Sequence, residues 1–293
     1  MIVEAGNPKL DNAYFLWQIS DVCQYKCSYC TVRNDATVDV RNHKVIDLVL
    51  KRLSMYDGDF HVEMYGGEPT THISLIHAVD ELSKMDNCTS IEILTNLKRS
   101  LTYFKKLDFD TDKVALTPSY HVEYDEDFLE KTIALHNYYK NTRMVVYVMM
   151  SDKEEHWDKT ETLLRGLEEH NIEYTTQLLV DGLNYKPKYT RAFFDRFELY
   201  LNHKEHYVPY KYEDGARGIS HKDIILRGLQ QFKGYSCKPL MHEIDVEGNI
   251  YNACFKGQNL PMIFKKKDII KYRTCPNNKC YCDIMFDYHK VIQ

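Results

Sequence analysis

Two hydrophobic patterns alternate along the first two thirds of the chain. Short runs rich in apolar, β-branched and aromatic residues cover 14–19, 60–65, 90–95, 114–120, 143–150 and 174–180. Their length and composition predict strands. Between them, apolar residues recur every three or four positions over 44–56, 73–85, 101–106, 126–139 and 155–170, and again over 191–202, which predicts helices. Six β/α units in succession predict an α/β fold with a parallel sheet covered by helices. Parallel crossovers are right-handed, so such a sheet can curl into a partial (βα)6 barrel of the TIM type. Ligands gather at the C-terminal ends of strands in sheets of this kind. Chemistry is therefore sought just past each strand.

The pattern breaks near residue 205. Short apolar pieces, turn residues and cysteines take over. Residues 241–254 read as a hairpin: MHEID, a V-E-G-N turn, then IYNAC. Two parts are expected, a barrel over 1–205 and a small Cys-rich domain over 206–293.

Composition adds compartment and partner class. With 44% hydrophobic and 28% charged residues, the chain has the profile of a soluble globular protein. No apolar run approaches the roughly 20 residues of a membrane helix. Residues 1–14 lack the basic start and apolar stretch of a signal peptide, so a cytoplasmic protein without a membrane partner is expected. The net charge of −5 argues against general nucleic-acid affinity. That charge is uneven: −10 over residues 1–205 and +5 over 206–293.

Nine cysteines are clustered, three within 23–30 and five within 237–282, with Cys88 alone. In a reducing compartment, clustering favours metal ligation over disulfides. Cys23, Cys27 and Cys30 follow the first predicted strand with C-x3-C-x2-C spacing. Three thiolates can hold three irons of a [4Fe–4S] cluster and leave the fourth open to a small bidentate ligand. A zinc site or three core cysteines is the alternative, although zinc knots usually pair C-x2-4-C motifs to reach four ligands.

With Tyr29 before the last cysteine, the segment resembles the C-x3-C-x-aromatic-C signature of the radical S-adenosylmethionine (SAM) superfamily. The resemblance covers roughly residues 13–180. It implies that Cys23, Cys27 and Cys30 hold a SAM-binding [4Fe–4S] cluster, with Tyr29 near the adenine. Tyr65-Gly66-Gly67-Glu68-Pro69 follows the second strand and resembles the family's GGE motif, which binds the methionyl amine. Its glycines would let backbone groups approach a ligand closely, and Glu68 would accept from the ammonium. Leu94-Thr95-Asn96 resembles a T-N-G segment, with Leu97 in place of the glycine. Ser119 and His121 end the fourth strand, where similar positions approach the ribose or carboxylate of SAM, and Pro118 is expected to bend the chain there. For Asn96 and for the 118–121 segment, a plain turn is the other reading.

The second group comprises Cys237, Cys254, Cys275, Cys280 and Cys282. Four of the five suffice for a tetrahedral zinc site or a fully ligated [4Fe–4S] cluster, and spacing alone does not separate the two. The hairpin around Gly248 resembles the opening of a SPASM or shortened "twitch" auxiliary-cluster domain, with one residue more than usual before Cys254. A second [4Fe–4S] cluster is what the resemblance implies.

The cofactors imply the reaction. SAM is cleaved reductively, and the resulting 5′-deoxyadenosyl radical takes a hydrogen atom from a small molecule or from a peptide or protein side chain. An electron donor such as flavodoxin or ferredoxin is required. The tail is expected to cover the C-terminal mouth of the barrel, so that both clusters face one cavity. Lys265, Lys266 and Lys267 offer a basic run for an anionic substrate or acidic partner, or simply a solvated face. The competing class is a non-catalytic iron–sulfur or zinc protein, which would have no use for the GGE segment.

Overall fold

The computed structural model describes residues 1–31, 43–109, 111–124, 126–180, 185–201, 207–255, 258–280 and 286–292. Its main sheet is built from β2 (Ala13–Ser20), β3 (Phe60–Gly66), β4 (Cys88–Thr95), β5 (Val114–Tyr120), β7 (Val146–Met150) and β8 (Tyr174–Leu178), all parallel and neighbours in chain order. A two-residue strand, β6 (Arg143–Met144), pairs with β5. The helices between them are α1 (His43–Ser54), α2 (Leu75–Ser83), α3 (Leu101–Phe104), α4 (Phe128–Tyr138) and α5 (Trp157–Glu169), with α6 (Arg191–Leu201) after β8. The predicted β/α alternation is thus the observed one. Pro118 does not bend the chain. It lies within β5, in register with Thr95 of β4.

Each strand has two unlike faces. Ala13, Phe15, Trp17 and Ile19 of β2 are buried, and Trp17 and Ile19 line a small void with Val45 and Ile46 of α1. Helices α1, α2 and α5 bury apolar stripes such as Ile46, Val49, Leu50 and Leu53. The opposite face holds Tyr14, Leu16 and Gln18 of β2, His61, Glu63 and Tyr65 of β3, and Glu92 of β4, all half-buried. Sheets covered on both sides are apolar on both sides. This alternation marks a face with a different task.

The tail is tied to the start of the chain. A second, antiparallel sheet has the order β10 (Gly215–Ser220), β9 (Tyr207–Tyr212), β1 (Ile2–Ala5), β15 (Lys290–Val291), β11 (Ser236–Cys237), β14 (Arg273–Thr274). Residues 2–5 therefore sit among strands of the tail. In exchange, the predicted hairpin, β12 (Met241–Ile244) and β13 (Ile250–Asn252), joins the main sheet, with β12 parallel to β2. Arg52 of α1 is buried and donates to the carbonyls of Gly248 (2.8 Å), Leu260 (3.1 Å) and Pro261 (3.0 Å), which pins the hairpin turn to the helix layer. Short helices α7 (His221–Leu226) and α8 (Lys266–Ile269) complete the tail. Among the described residues, no helix is long and apolar enough to cross a membrane.

Candidate functional site

Strand β2 ends at Ser20, and the chain turns at once into the loop of Cys23, Cys27 and Cys30. Two glycines make this turn possible by approaching the loop's own backbone. Gly66 has φ +147°, and a β-carbon there would lie 2.0 Å from the carbonyl oxygen of Ser20. At Gly67 a β-carbon would lie 2.4 Å from the carbonyl oxygen of Val22. The contacts the missing β-carbons allow are hydrogen bonds: Gly67 N donates to Ser20 O and Glu68 N to Val22 O, both at 2.8 Å. The glycines thus serve the approach to Cys23. That is a different reason from the ligand contact their motif suggested.

Glu68 is buried, at 1% exposed, and caps the 3-10 turn Pro69–Thr71. Its carboxylate accepts from Thr70 N (3.1 Å), Thr70 Oγ1 (2.5 Å), Thr95 Oγ1 (2.7 Å) and Asn96 N (2.7 Å). Burial raises its pKa against the opposing pull of these donors. Glu68 therefore locks the ends of β3 and β4 together. Only one of the four bonds falls on Oε2, which keeps an acceptor site. Asn96 continues the chain of contacts, with Nδ2 donating to Cys23 Sγ at 3.6 Å. Leu97 occupies the family's glycine position and keeps a left-handed φ of +53°. Such a conformation costs a non-glycine residue about 1–2 kcal/mol. The buried Leu97 side chain offsets that cost.

A second clamp comes from the segment after β5. Ser28 donates from N and Oγ to Glu123, at 2.9 and 2.6 Å. Tyr25 stacks on Tyr124 with centroids 4.5 Å apart and donates to its carbonyl. Tyr29 hydrogen-bonds His121 Nδ1 at 3.0 Å and lies against its ring. Burial holds the His121 ring down to about 4, so it is neutral at pH 7. Ser119 is half-buried in β5, in register with Tyr147. The structure thus gathers Cys23, Cys27, Cys30, Tyr29, Gly66, Gly67, Glu68, Pro69, Asn96, Ser119 and His121 at one end of the main sheet. Sequence reasoning missed Tyr25, Glu123 and Tyr124, which carry no motif.

The thiols interact. Burial and then the neighbouring Cys30 push the Cys27 thiol up to about 12, and burial raises Cys23 as well. A metal centre would reverse this order by binding the thiolates.

In the tail, Cys237, Cys254, Cys275 and Cys280 line one cavity of about 640 Å³ with Glu243 and Lys290. Cys282 lies outside the described residues. None of the eight described cysteines is in a disulfide. Burial pushes Cys237 and Cys254 up to about 12, and Lys290 draws both back down. That lysine is 1% exposed and donates to Tyr288 O at 2.7 Å. It is a buried cation facing four thiols, and the excess positive charge of the tail was its only sequence signal.

Among the described residues, the tail's cysteines lie at the other end of β2 from the cysteine loop. Leu240 O accepts from Tyr14 N, at the start of β2, so Cys237 lies beyond that start. Strand β13 runs back toward the same end, where Ala253 N bonds Met241 O, and Cys254 follows. The first cysteine loop leaves the other end of β2. β2 itself, eight residues at about 3.3 Å per step, is roughly 23 Å long. Among the described residues, the two groups therefore do not share the expected cavity at the C-terminal mouth. The parallel pairing of β12 with β2 dictates the opposite placement. Two lysines of the basic run are engaged within the fold: Lys266 pairs with Asp11 at 2.8 Å and Lys265 donates to Met55 O.

In a tetrahedral zinc site with Zn–S near 2.3 Å, sulfurs stand about 3.8 Å apart. Among the described residues, neither cysteine group brings three thiols within 4.8 Å of one another.

No protein-family model and no curated protein matches the chain. Solved structures share its fold. Streptococcus suis SuiB bound to S-adenosylmethionine aligns over 85% of this chain and 62% of its own, at 15% identity and a TM-score of 0.59. The chain thus spans less than two thirds of SuiB's length. SuiB bound to precursor peptide SuiA gives 13% identity and 0.60 over the same shares. Histidine-tagged anSMEcpe with bound AdoMet aligns over 84% of this chain and 75% of its own, at 16% identity and 0.55. The mixed α/β fold with a parallel sheet is thus the fold shared with SAM-bound SuiB and anSMEcpe.

Proposed function

We propose that this chain is a radical SAM enzyme, with Cys23, Cys27 and Cys30 as ligands of a [4Fe–4S] cluster and SAM on the fourth iron. One observation carries the reading. The three thiols occupy a braced loop at the C-terminal end of the first of six parallel strands, in the fold shared with SAM-bound SuiB and anSMEcpe. The wide spacing of the thiols supports a cluster over a single zinc ion. Such a cluster would supply the electron for reductive cleavage of SAM, and with it a radical able to take a hydrogen atom from a substrate.

The chain's own residues bind and orient. Gly66 to Pro69 wall the site, and Glu68 Oε2, which takes only the bond from Asn96 N, would accept from the methionyl ammonium. Asn96 steadies Cys23. Tyr29, held by His121, presents its ring to the adenine, and Ser119 faces the ribose or carboxylate.

We assign residues 1–205 to a partial barrel and 206–293 to a twitch-like domain with a second [4Fe–4S] cluster, apart from the exchanged strands β1 and β12. Cys237, Cys254, Cys275 and Cys280 are its ligands, with Lys290 as counter-charge. Because the two groups lie at opposite ends of β2, the substrate is placed on the polar face between them. Glu243 links that face to the second cavity. SuiB is described with the peptide SuiA and anSMEcpe with the Kp18Cys peptide, so a peptide is favoured over a small molecule. A flavodoxin or ferredoxin would supply the electron. Anaerobic reconstitution with SAM and dithionite should yield 5′-deoxyadenosine; a protein with four irons at the first site and no cleavage would refute the reading.

A further inference from the structure

The polar face on which the substrate is placed also holds a group of side chains given no role above. Glu63 of β3 and Glu92 of β4 are register partners on adjacent strands. Like charges placed so are destabilising. Among the described residues, no lysine or arginine forms an ion pair with either. His61 stands two residues before Glu63, and its Nε2 is buried without a hydrogen-bond partner, 3.8 Å from Glu92 Oε2. One ligand atom from each of the three lies within 4.8 Å of the others.

The surrounding hydroxyls orient the carboxylates. Tyr14 donates to Glu63 Oε2, and Thr117 Oγ1 donates to Glu92 Oε1 at 2.6 Å. Tyr147 lies beside the carboxylates, and both raise its pKa after burial does. The Tyr14 ring stacks on His61 with centroids 4.4 Å apart and fixes the imidazole. Outer hydroxyls that aim carboxylates, and a fixed imidazole with a spare nitrogen, are the supports that metal ligands usually have. The His61 and Glu92 side chains remain 20% and 17% exposed, so an ion can enter.

We propose that His61, Glu63 and Glu92 form a site for one divalent cation that prefers oxygen and imidazole ligands, such as Mn2+, Fe2+ or Zn2+. Atoms this close leave room for an ion and not for an organic group. The cation removes the repulsion between the carboxylates and takes the lone pair of His61. The site lies about 10 Å down β3 from Gly66, three residues at about 3.3 Å each. It is separate from both cysteine groups and does not depend on the radical SAM reading.

Mn2+ is the probe, because it favours carboxylates over thiolates. Reconstituted holoprotein, passed over a chelating resin, is titrated with Mn2+ while the six-line signal of the free ion is followed. One Mn2+ should bind per chain. Glu63→Gln and Glu92→Gln should each weaken binding at least tenfold, and Tyr14→Phe by about ten- to a hundredfold through the outer shell. Tyr14→Phe keeps the ring and the stack, so it reports even where the glutamine variants fail to fold. Wild-type protein that leaves Mn2+ free, or unchanged affinity in all three variants, overturns the site.

Discussion

Cys23, Cys27 and Cys30 share one short loop, whereas Cys237, Cys254, Cys275 and Cys280 come from separate segments of the tail. The first group is shaped by neighbours that bond its backbone: Gly67 and Glu68 at Ser20 and Val22, and Glu123 at Ser28. Its thiols are half-exposed. In the second group, Cys237, Cys275 and Cys280 are buried around a cavity, and a lysine is buried with them. A braced, accessible loop with three ligands suits a centre that must admit another molecule. A closed cage of four suits a centre whose ligands come only from the protein. Its formation is also coupled to the folding of the tail, since the cage does not exist until those segments meet.

The largest effect separates the two groups outright. Replacing Cys23, Cys27 and Cys30 with Ala should abolish 5′-deoxyadenosine formation. Cys254→Ala should lower the iron content from about eight to about four per chain, keep SAM cleavage and stop substrate turnover. Four irons and one zinc in the wild-type protein would remove the second cluster from the proposal while sparing the first.

A smaller effect probes the brace. Glu68→Gln loses charge-assisted bonds from Thr70, Thr95 and Asn96, so stability should fall by about 1.5–3 kcal/mol. SAM binding should weaken about ten- to a hundredfold for the same reason. Calorimetric titration and denaturant midpoints read the two losses separately. A fall in stability with unchanged SAM affinity would make Glu68 a lock and nothing more. Cys88, buried at the far end of β4, serves as the control: its replacement by Ser should leave SAM affinity alone.

The smallest effect sharpens the comparison by pH. His242 lies in the hairpin that precedes Cys254, is 2% exposed and is held by Leu240 O and Asn252. Burial lowers its pKa to about 4. The unfolded chain therefore binds more protons between about pH 6.5 and pH 4, and the stability present above that window is lost as pH falls through it. From pH 7 to pH 6 the loss should be on the order of 1 kcal/mol. His242→Asn should remove that share, as read from denaturation at the two pH values, and leave the shares of His61 and His121, which burial also lowers to about 4. An unchanged pH response would place the acid sensitivity elsewhere, with His121 beside the first group the next to replace.

Much of this was legible because the signals are local. The six strands and the hairpin follow from short runs of residues, and the cysteine and GGE motifs from spacing within a few positions. What stayed hidden depends on contacts between distant residues of ordinary type. Glu123 and Tyr124 look like any loop residues until they meet Ser28 and Tyr25. Lys290 is one lysine among many until the tail buries it. The placement of the second cysteine group followed from the parallel pairing of β12 with β2, which no turn signal announces. His61, Glu63 and Glu92 interrupt apolar runs at every second position. That alternation was present in the sequence and marks a face that helices do not cover.

The exchange of strands between the two sheets sets the order in which this molecule is made. Residues 2–5 leave the ribosome well before their partners, residues 207–212 and 290–291. At about 5–20 residues per second, β1 waits roughly fifteen seconds to a minute for its last neighbour. During that interval its backbone donors and acceptors are open to any exposed sheet edge. The cysteines of the first loop, by contrast, can be braced as soon as β5 and the segment after it have emerged. Under the proposed function, iron delivery to the two groups would be staggered in time, with the loop competent early and the cage only once β15 has closed the second sheet.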